Sequence, residues 1–285
     1  MKQEIIDLFD HYTHEHMDRS LFLKKLARLS GGTMAAASIL ATLETNYLHA
    51  DTISPQDNDL ATGYITYAGA KGEMRAYSAA PKQATGKGAV MVIHENRGLN
   101  AHIEDVARRA AKAGFYSIAP DALSPLGGTP RDQNEARNMF RDLNGEENIE
   151  NFVKGIEFLS QAEGANGKVG AVGFCWGGGM VNTIAAASPI LTAGSAFYGR
   201  QVSAEKVPNI KAALQLHYAG LDNRINAGID DYVKVLRTNG VEHNVFMYEG
   251  VNHAFHNDTS EARYDQTAAQ LAWQRTIDLF NEKLS

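Results

Sequence analysis

Cysteine is almost absent from this chain: one residue, Cys175, among 285. A single thiol excludes an intrachain disulfide and any cysteine-rich zinc site. Basic surplus is absent too, with 27 Lys+Arg against 33 Asp+Glu and a net charge of −6. Nothing is left over to neutralise a phosphate backbone, which argues against a nucleic-acid partner. Long apolar runs are missing from the amino-terminal region: its longest uncharged stretch, between Arg28 and Glu44, is 15 residues. A membrane-spanning helix needs about 18–20. Proline is scarce at 7, and 26 glycines do not form a repeat, which excludes collagen-like and disordered classes. What is present, 44% hydrophobic and 21% charged residues, suits one large α/β domain or two small ones.

The first fifty residues admit two readings. Asp18-Arg19-Ser20-Leu21-Phe22-Leu23-Lys24 resembles a twin-arginine export motif with Ser20 in place of the second arginine, ahead of the apolar Met34–Leu43 and a loose cleavage site at Leu48-His49-Ala50. Residues 1–18, however, hold five acids (Glu4, Asp7, Asp10, Glu15, Asp18) and Lys2 as the one Lys or Arg, whereas an export segment opens positively charged. The favoured reading is a helical extension of residues 1–50, with helices over Gln3–Tyr12, Arg19–Leu29 and Thr33–Leu43 broken at Gly31-Gly32. It places the protein in the cytoplasm; a working export segment would place it in the periplasm. His11, His14 and His16 beside Glu15 read as surface histidines rather than a metal site. Polar residues 51–59 read as a linker.

From residue 60 to 285, short β-branched or aromatic runs alternate with helical patterns. Tyr64–Tyr67 and Met74–Ser78 suggest an antiparallel opening pair. Ala89–His94, Tyr116–Ala119, Lys168–Gly173 and Ala193–Tyr198 read as buried parallel strands, followed by Ala213–Tyr218 and Asn244–Tyr248. Helical patterns fall near 101–113, 131–142, 147–162, 176–188, 227–239 and 260–283. This rhythm predicts an α/β fold with a doubly wound, mostly parallel sheet. In such sheets the chemistry sits beyond the carboxyl ends of the strands.

The most informative strand end is Gly173-Phe174-Cys175-Trp176-Gly177-Gly178-Gly179. A strand running into Gly-x-Cys-x-Gly and then a small apolar helix is a nucleophile elbow with cysteine in place of serine. Glycines flank the nucleophile because the turn is tight, and the helix amino terminus beneath the sulfur favours a thiolate. A lone buried cysteine is otherwise a small hydrophobe. The elbow needs an acid and then a histidine downstream. Asp222 follows a glycine-containing turn after Ala213–Tyr218, and His253 lies past Asn244–Tyr248. His253 would move the proton and Asp222 would fix its tautomer. His217 lies inside a strand and His256 too far along the loop. Glu95 follows the first parallel strand, where it can hold a thiol protonated and then accept its proton. The same loop, with the N–H of Trp176, should supply the oxyanion donors.

These residues resemble the dienelactone hydrolase family, a cysteine branch of the α/β-hydrolases. The likeness covers roughly residues 60–285 and rests on the elbow, Glu95, Ala119-Pro120-Asp121, Asp222 and His253. It implies an α/β-hydrolase fold, a Cys175–His253–Asp222 triad, Glu95 as the resting partner of the thiol, and backbone N–H groups of Asn96 and Trp176 as the oxyanion hole. It also implies hydrolysis of a small ester or lactone through a cysteine acyl-enzyme, with no cofactor or metal. A homodimer stays open. The family's namesakes clamp a substrate carboxylate with arginines after the Pro-Asp motif and after the histidine. Pro120–Pro125 and His253–Asn257 contain none. Arg97, Arg131 or Arg200 could substitute, while Trp176, Tyr198 and Phe255 suggest a more apolar pocket. Two other readings stand: a non-catalytic small-molecule-binding protein on this fold, and a thiol redox role that lacks a resolving cysteine.

Overall fold

The computed structural model describes residues 1–15, 17–44 and 51–285. His16 and the Leu48-His49-Ala50 segment therefore lie outside the described residues. Eight strands form one sheet: β1 (Leu60–Ala68), β2 (Glu73–Pro81), β3 (Ala89–Ile93), β4 (Tyr116–Pro120), β5 (Val169–Phe174), β6 (Leu191–Phe197), β7 (Ala213–Ala219) and β8 (His243–Tyr248), in the order β1-β2-β4-β3-β5-β6-β7-β8. β2 runs antiparallel to β1 and to β4, and the remaining pairs are parallel. β3 and β5 are buried along their whole length, because helices cover both faces and no strand face is left for water.

One face packs under α6 (Gly145–Ser160), α7 (Trp176–Ala187) and α9 (Ile229–Thr238) through Phe152, Ile156, Val181, Ile184 and Leu236. The other packs under α4 (Ala101–Lys112) and α10 (Gln266–Leu284) through Ile103, Val106, Phe280 and Leu284. Each strand-to-helix joint carries a side-chain cap where the sequence permits one: Asn100 accepts from Ile103 N at 3.2 Å and Asp265 from Ala268 N at 2.9 Å. α10 begins at Gln266, not near residue 260, since residues 254–265 are folded into successive turns (Ser260 N to Asn257 O, 3.0 Å). Two short helices, α5 (Gln133–Met139) and α8 (Asn223–Asn226), complete this part.

The amino-terminal residues form α1 (Gln3–His14), α2 (Arg19–Ser30) and α3 (Thr33–Leu43). Ile5, Ile6, Phe9 and Tyr12 fall on one face of α1 and are buried, the spacing that commits a helix to pack on that side. Tyr12 stacks on Phe22 of α2 at 4.2 Å between centroids. Gly31, at φ 86, ends α2 in the left-handed region. No single helix among the described residues is long and apolar enough to cross a membrane; α2 and α3 meet at 109°. Residues 51–59 are pinned along α4: Ile53 N donates to Asp105 Oδ1 at 2.7 Å, and the buried Arg108 donates to the Ile53 carbonyl at 2.6 Å.

β3 lies between β4 and β5, the point where the strand order reverses. A crevice opens there by topology alone. Parallel register pairs Ile93 with Gly173, which brings residues 95 and 175 level just beyond the sheet.

Candidate active site

Cys175 ends β5 and opens α7 at φ 56, ψ −114, a sparsely populated conformation that costs about 1–3 kcal/mol. The turn closes only because its neighbours lack side chains. A Cβ on Gly173 would sit 2.2 Å from the Gly177 carbonyl oxygen, and one on Gly177 would sit 2.3 Å from that of Ile93. Trp176 is the first residue of α7, so its N–H has no intrahelical acceptor. Among the described residues the three non-glycines with positive φ are Cys175, Tyr198 and Ala254. All three flank the same spot.

Asp222 and His253 reach that spot from adjacent strands. β7 and β8 pair with Ala219 opposite Tyr248, and the loops beyond them are laced together by Gly220 N to Tyr248 O (2.8 Å) and Leu221 N to Val251 O (3.0 Å). Asp222 caps α8 with Oδ1 on Ile225 N at 3.2 Å, which turns Oδ2 toward His253 Nδ1 at 2.5 Å. His253 is 2% exposed. Burial disfavours charge on its ring, but the Asp222 carboxylate, with Cys175 adding to it, outweighs burial and pushes its pKa up to about 10. Asp222 is held below its ordinary value because the attraction of His253 exceeds the penalty of burial. His253 Nε2 carries no hydrogen bond.

Glu95 lies in the same cavity as Cys175. Its Oε2 accepts from Asn257 Nδ2 at 2.8 Å, while Oε1 is buried without a partner. His94 anchors this loop: its Nε2 accepts from Ala122 N at 3.1 Å, so Nδ1 bears the proton and donates to the Glu95 carbonyl at 2.6 Å. Asp121 accepts from Leu123 N, Thr129 N and Thr129 Oγ1; the Pro-Asp motif builds the loop and stays out of the chemistry. His217 is a core residue, bonded to Tyr248 Oη at 2.9 Å and lowered by burial to about 3. His256 stacks on Phe174.

The contact sequence reasoning missed comes from 161 residues away. His14, expected on the surface, is partly buried, and its Nε2 lies 3.1 Å from Cys175 Sγ. Its ring meets that of His253 edge-on at 4.6 Å. α1 is held there by Thr13 O accepting from Asn96 Nδ2 (3.0 Å), by Arg137 on the Tyr12 carbonyl (3.1 Å) and hydroxyl (3.0 Å), and by Arg263 on Asp10 (3.2 Å). Burial first, then the positive charge of His253, holds the pKa of His14 well below the usual histidine range. The apolar face of α1 signalled that it packs on something; nothing in the pattern named the target.

Two cavities flank the thiol. One, of about 260 Å³, is lined by Glu95, Asn96, Arg97, Arg131 and Arg263 beside Cys175 and His253. The other, of about 440 Å³, has Trp176, Met180 and Tyr198 inside and Arg137, Arg141, Arg200 and Arg224 around it. Trp176 and Tyr198 line the larger cavity as expected, and arginines from three segments ring it. Phe255 lines neither cavity. It is fully buried against Phe197, Tyr198 and Tyr248, because the Ala254 kink turns it inward. Burial, and after it the charges of Glu95 and Cys175, raise the pKa of Tyr198 well above that of a free phenol.

A cysteine elbow over a parallel sheet, with a histidine–carboxylate pair from the last two strand ends, defines an α/β-hydrolase. The sequence pattern of the dienelactone hydrolase family matches residues 74–284, and the chain belongs to that family. A protein of Methylorubrum extorquens named "Putative carboxymethylenebutenolidase" is 30% identical over 81% of this chain and 84% of its own length. "Protein usf" of Aquifex pyrophilus is 33% identical over 75% of this chain and 95% of its own length. Among solved structures, a Klebsiella pneumoniae protein described as "Putative Dienelactone Hydrolase" superposes with a TM-score of 0.71 at 26% identity, over 79% of this chain and all of that one. This chain is a hydrolase of that family.

Proposed function

We propose that the protein cleaves carboxylic ester or lactone bonds of small anionic molecules through an acyl-enzyme on Cys175. The observation that carries the reading is the strained cysteine at the carboxyl end of β5, beside a buried histidine already oriented by Asp222. The thiolate attacks the carbonyl carbon, and the oxyanion that forms takes N–H donors from Trp176 and Asn96. Collapse breaks the carbon–oxygen bond, and the leaving alkoxide takes the proton held on His253. Water then attacks the thioester as His253 accepts its proton, releasing the acid and restoring the thiolate. Glu95, facing the same cavity with one unpartnered oxygen, is positioned as a second acceptor for the proton that Cys175 and His253 share between turnovers. The arginines around the larger cavity favour a substrate bearing a carboxylate or similar anion. Arg97 and Arg131 beside the smaller cavity and Arg200 beside the larger supply cations where the family's usual clamp positions have none.

The contact between His14 and the thiol favours a second reading, a binding protein whose cysteine no longer serves as a nucleophile toward esters. Incubation with p-nitrophenyl acetate, following product release and intact mass together, separates the two. The hydrolase gives a burst and an acetyl mass on Cys175, absent in Cys175→Ala. Full turnover by Cys175→Ala, or no acylation of a thiol that still alkylates, would sink the hydrolase reading.

A further inference from the structure

Two imidazoles and one thiol converge at the end of β5, and both rings present the same nitrogen. His14 Nδ1 lies 2.9 Å from the Asp10 carbonyl oxygen and 3.0 Å from Thr13 Oγ1. A carbonyl only accepts, so Nδ1 carries the proton and the lone pair of Nε2 faces Sγ. His253 repeats the arrangement, with Nδ1 on Asp222 Oδ2 and Nε2 buried, unpartnered and aimed at the same space. The donor atoms of His14, Cys175 and His253 all lie within 4.8 Å of one another.

We propose that His14, Cys175 and His253 form a binding site for a thiophilic divalent ion, Zn²⁺ foremost, whose occupancy closes the hydrolase by taking both its nucleophile and its base. Two nitrogens and a sulfur are the donor set that zinc selects, and no oxygen ligand is offered to Mg²⁺ or Ca²⁺. Tetrahedral zinc bonds of 2.0–2.3 Å would set nitrogen and sulfur about 3.6 Å apart and the two nitrogens about 3.4 Å apart. The His14–Cys175 separation of 3.1 Å must open by about half an ångström, and His253 closes in by side-chain rotation. The outer partners are in place already: a carbonyl behind one ring and a carboxylate behind the other, the usual supports of metal-bound histidine. Three protein ligands leave a fourth position for water, on the side of the cavities that flank the thiol.

The balance is simple. Zn²⁺ bonds to the sulfur and to both nitrogens, and the one proton shared by Cys175 and His253 leaves to solvent. The metal's two positive charges then face the thiolate and the Asp222 carboxylate, so the site is close to neutral. A metal-bound Cys175 cannot attack a carbonyl, and a metal-bound His253 cannot accept a proton.

Titration of the metal-free full chain with Co²⁺, read by absorption without substrate, tests the site directly. One equivalent should give a thiolate-to-cobalt charge-transfer band with intense visible bands of tetrahedral cobalt, displaced by Zn²⁺. Cys175→Ser should abolish the charge-transfer band. His14→Ala should weaken binding by about 100-fold, since even an outer partner of a ligating histidine is worth about 10–100-fold. His14→Gln, similar in size, should match it and covers the case in which His14→Ala folds poorly. No charge-transfer band, or variants at His14 that bind as tightly as wild type, would overturn the proposal. Because the readout needs no turnover, failure of the hydrolase reading leaves a distinct signature: a cobalt band without acylation.

Discussion

Gly177→Ala is the sharpest test of how the fold makes the site. The added Cβ would stand 2.3 Å from the Ile93 carbonyl oxygen and 2.6 Å from that of His94. Carbon–oxygen contacts in proteins settle near about 3.3–3.6 Å, so the first turn of α7 and the end of β3 must part by about 1 Å. Both obstacles are backbone and neither can rotate away. Overpacking of this kind costs about 1–3 kcal/mol, a Tm drop of about 2–4 °C per kcal/mol in a domain of this size. The same shift carries the Trp176 N–H out of reach of the oxyanion, and a 1 Å misplacement is worth about 100-fold in rate. The two effects separate cleanly. A loss of 1–3 kcal/mol from a total of about 5–15 leaves nearly every molecule folded at 25 °C, so destabilisation alone cannot lower kcat. Ester turnover and thermal unfolding on the same sample provide the assay. Gly63→Ala is the control, since no atom lies within 4 Å of its Cβ position. A Gly177→Ala enzyme with wild-type kcat would refute the link between elbow closure and the oxyanion donor.

Other consequences can be measured alongside. His253 is raised from 6.5 to about 10, so its charge adds stability that is complete below about pH 6.5 and lost as pH climbs toward 10. Asp222, lowered from 3.8, adds stability above its unfolded value that is lost on acidification. In chelator-treated protein, Asp222→Asn should therefore flatten the alkaline fall of Tm and move the alkaline limb of Cys175 acylation toward neutral pH; superimposable profiles would contradict the pairing. Arg200→Ala and Arg224→Ala should raise KM for a carboxylate-bearing ester about 10–100-fold, as loss of a charged hydrogen bond predicts, and for a neutral ester much less. Equal effects on both substrates would remove the case for an anionic substrate.

How much of this was legible in the chain follows from range. Gly173, Cys175 and Gly177 announce the elbow because the steric need is settled within five residues. The strands at residues 89–93 and 169–174 announce themselves because a face-to-face buried strand has to be apolar throughout. Asp222 and His253 were readable through strand order, since parallel neighbours deliver their carboxyl ends to one edge. Their union, by contrast, depends on loop lacing that no local pattern encodes. Phe255 was misread as lining because an aromatic next to a catalytic loop looks the same whether it points in or out; the positive φ of Ala254 decides it. Arg137, Arg141 and Arg224 went unread because they reach the cavity from segments far from the thiol in sequence. His14 shows the limit most plainly. A polar histidine on an amphipathic helix carries no sign of its partner. Only the packing of α1 against Arg137 and Arg263 sets that ring on the one thiol in the protein. Periodicity and turn sterics are properties of neighbouring residues, so sequence alone settles them. A contact across 161 positions exists only once the whole core has closed.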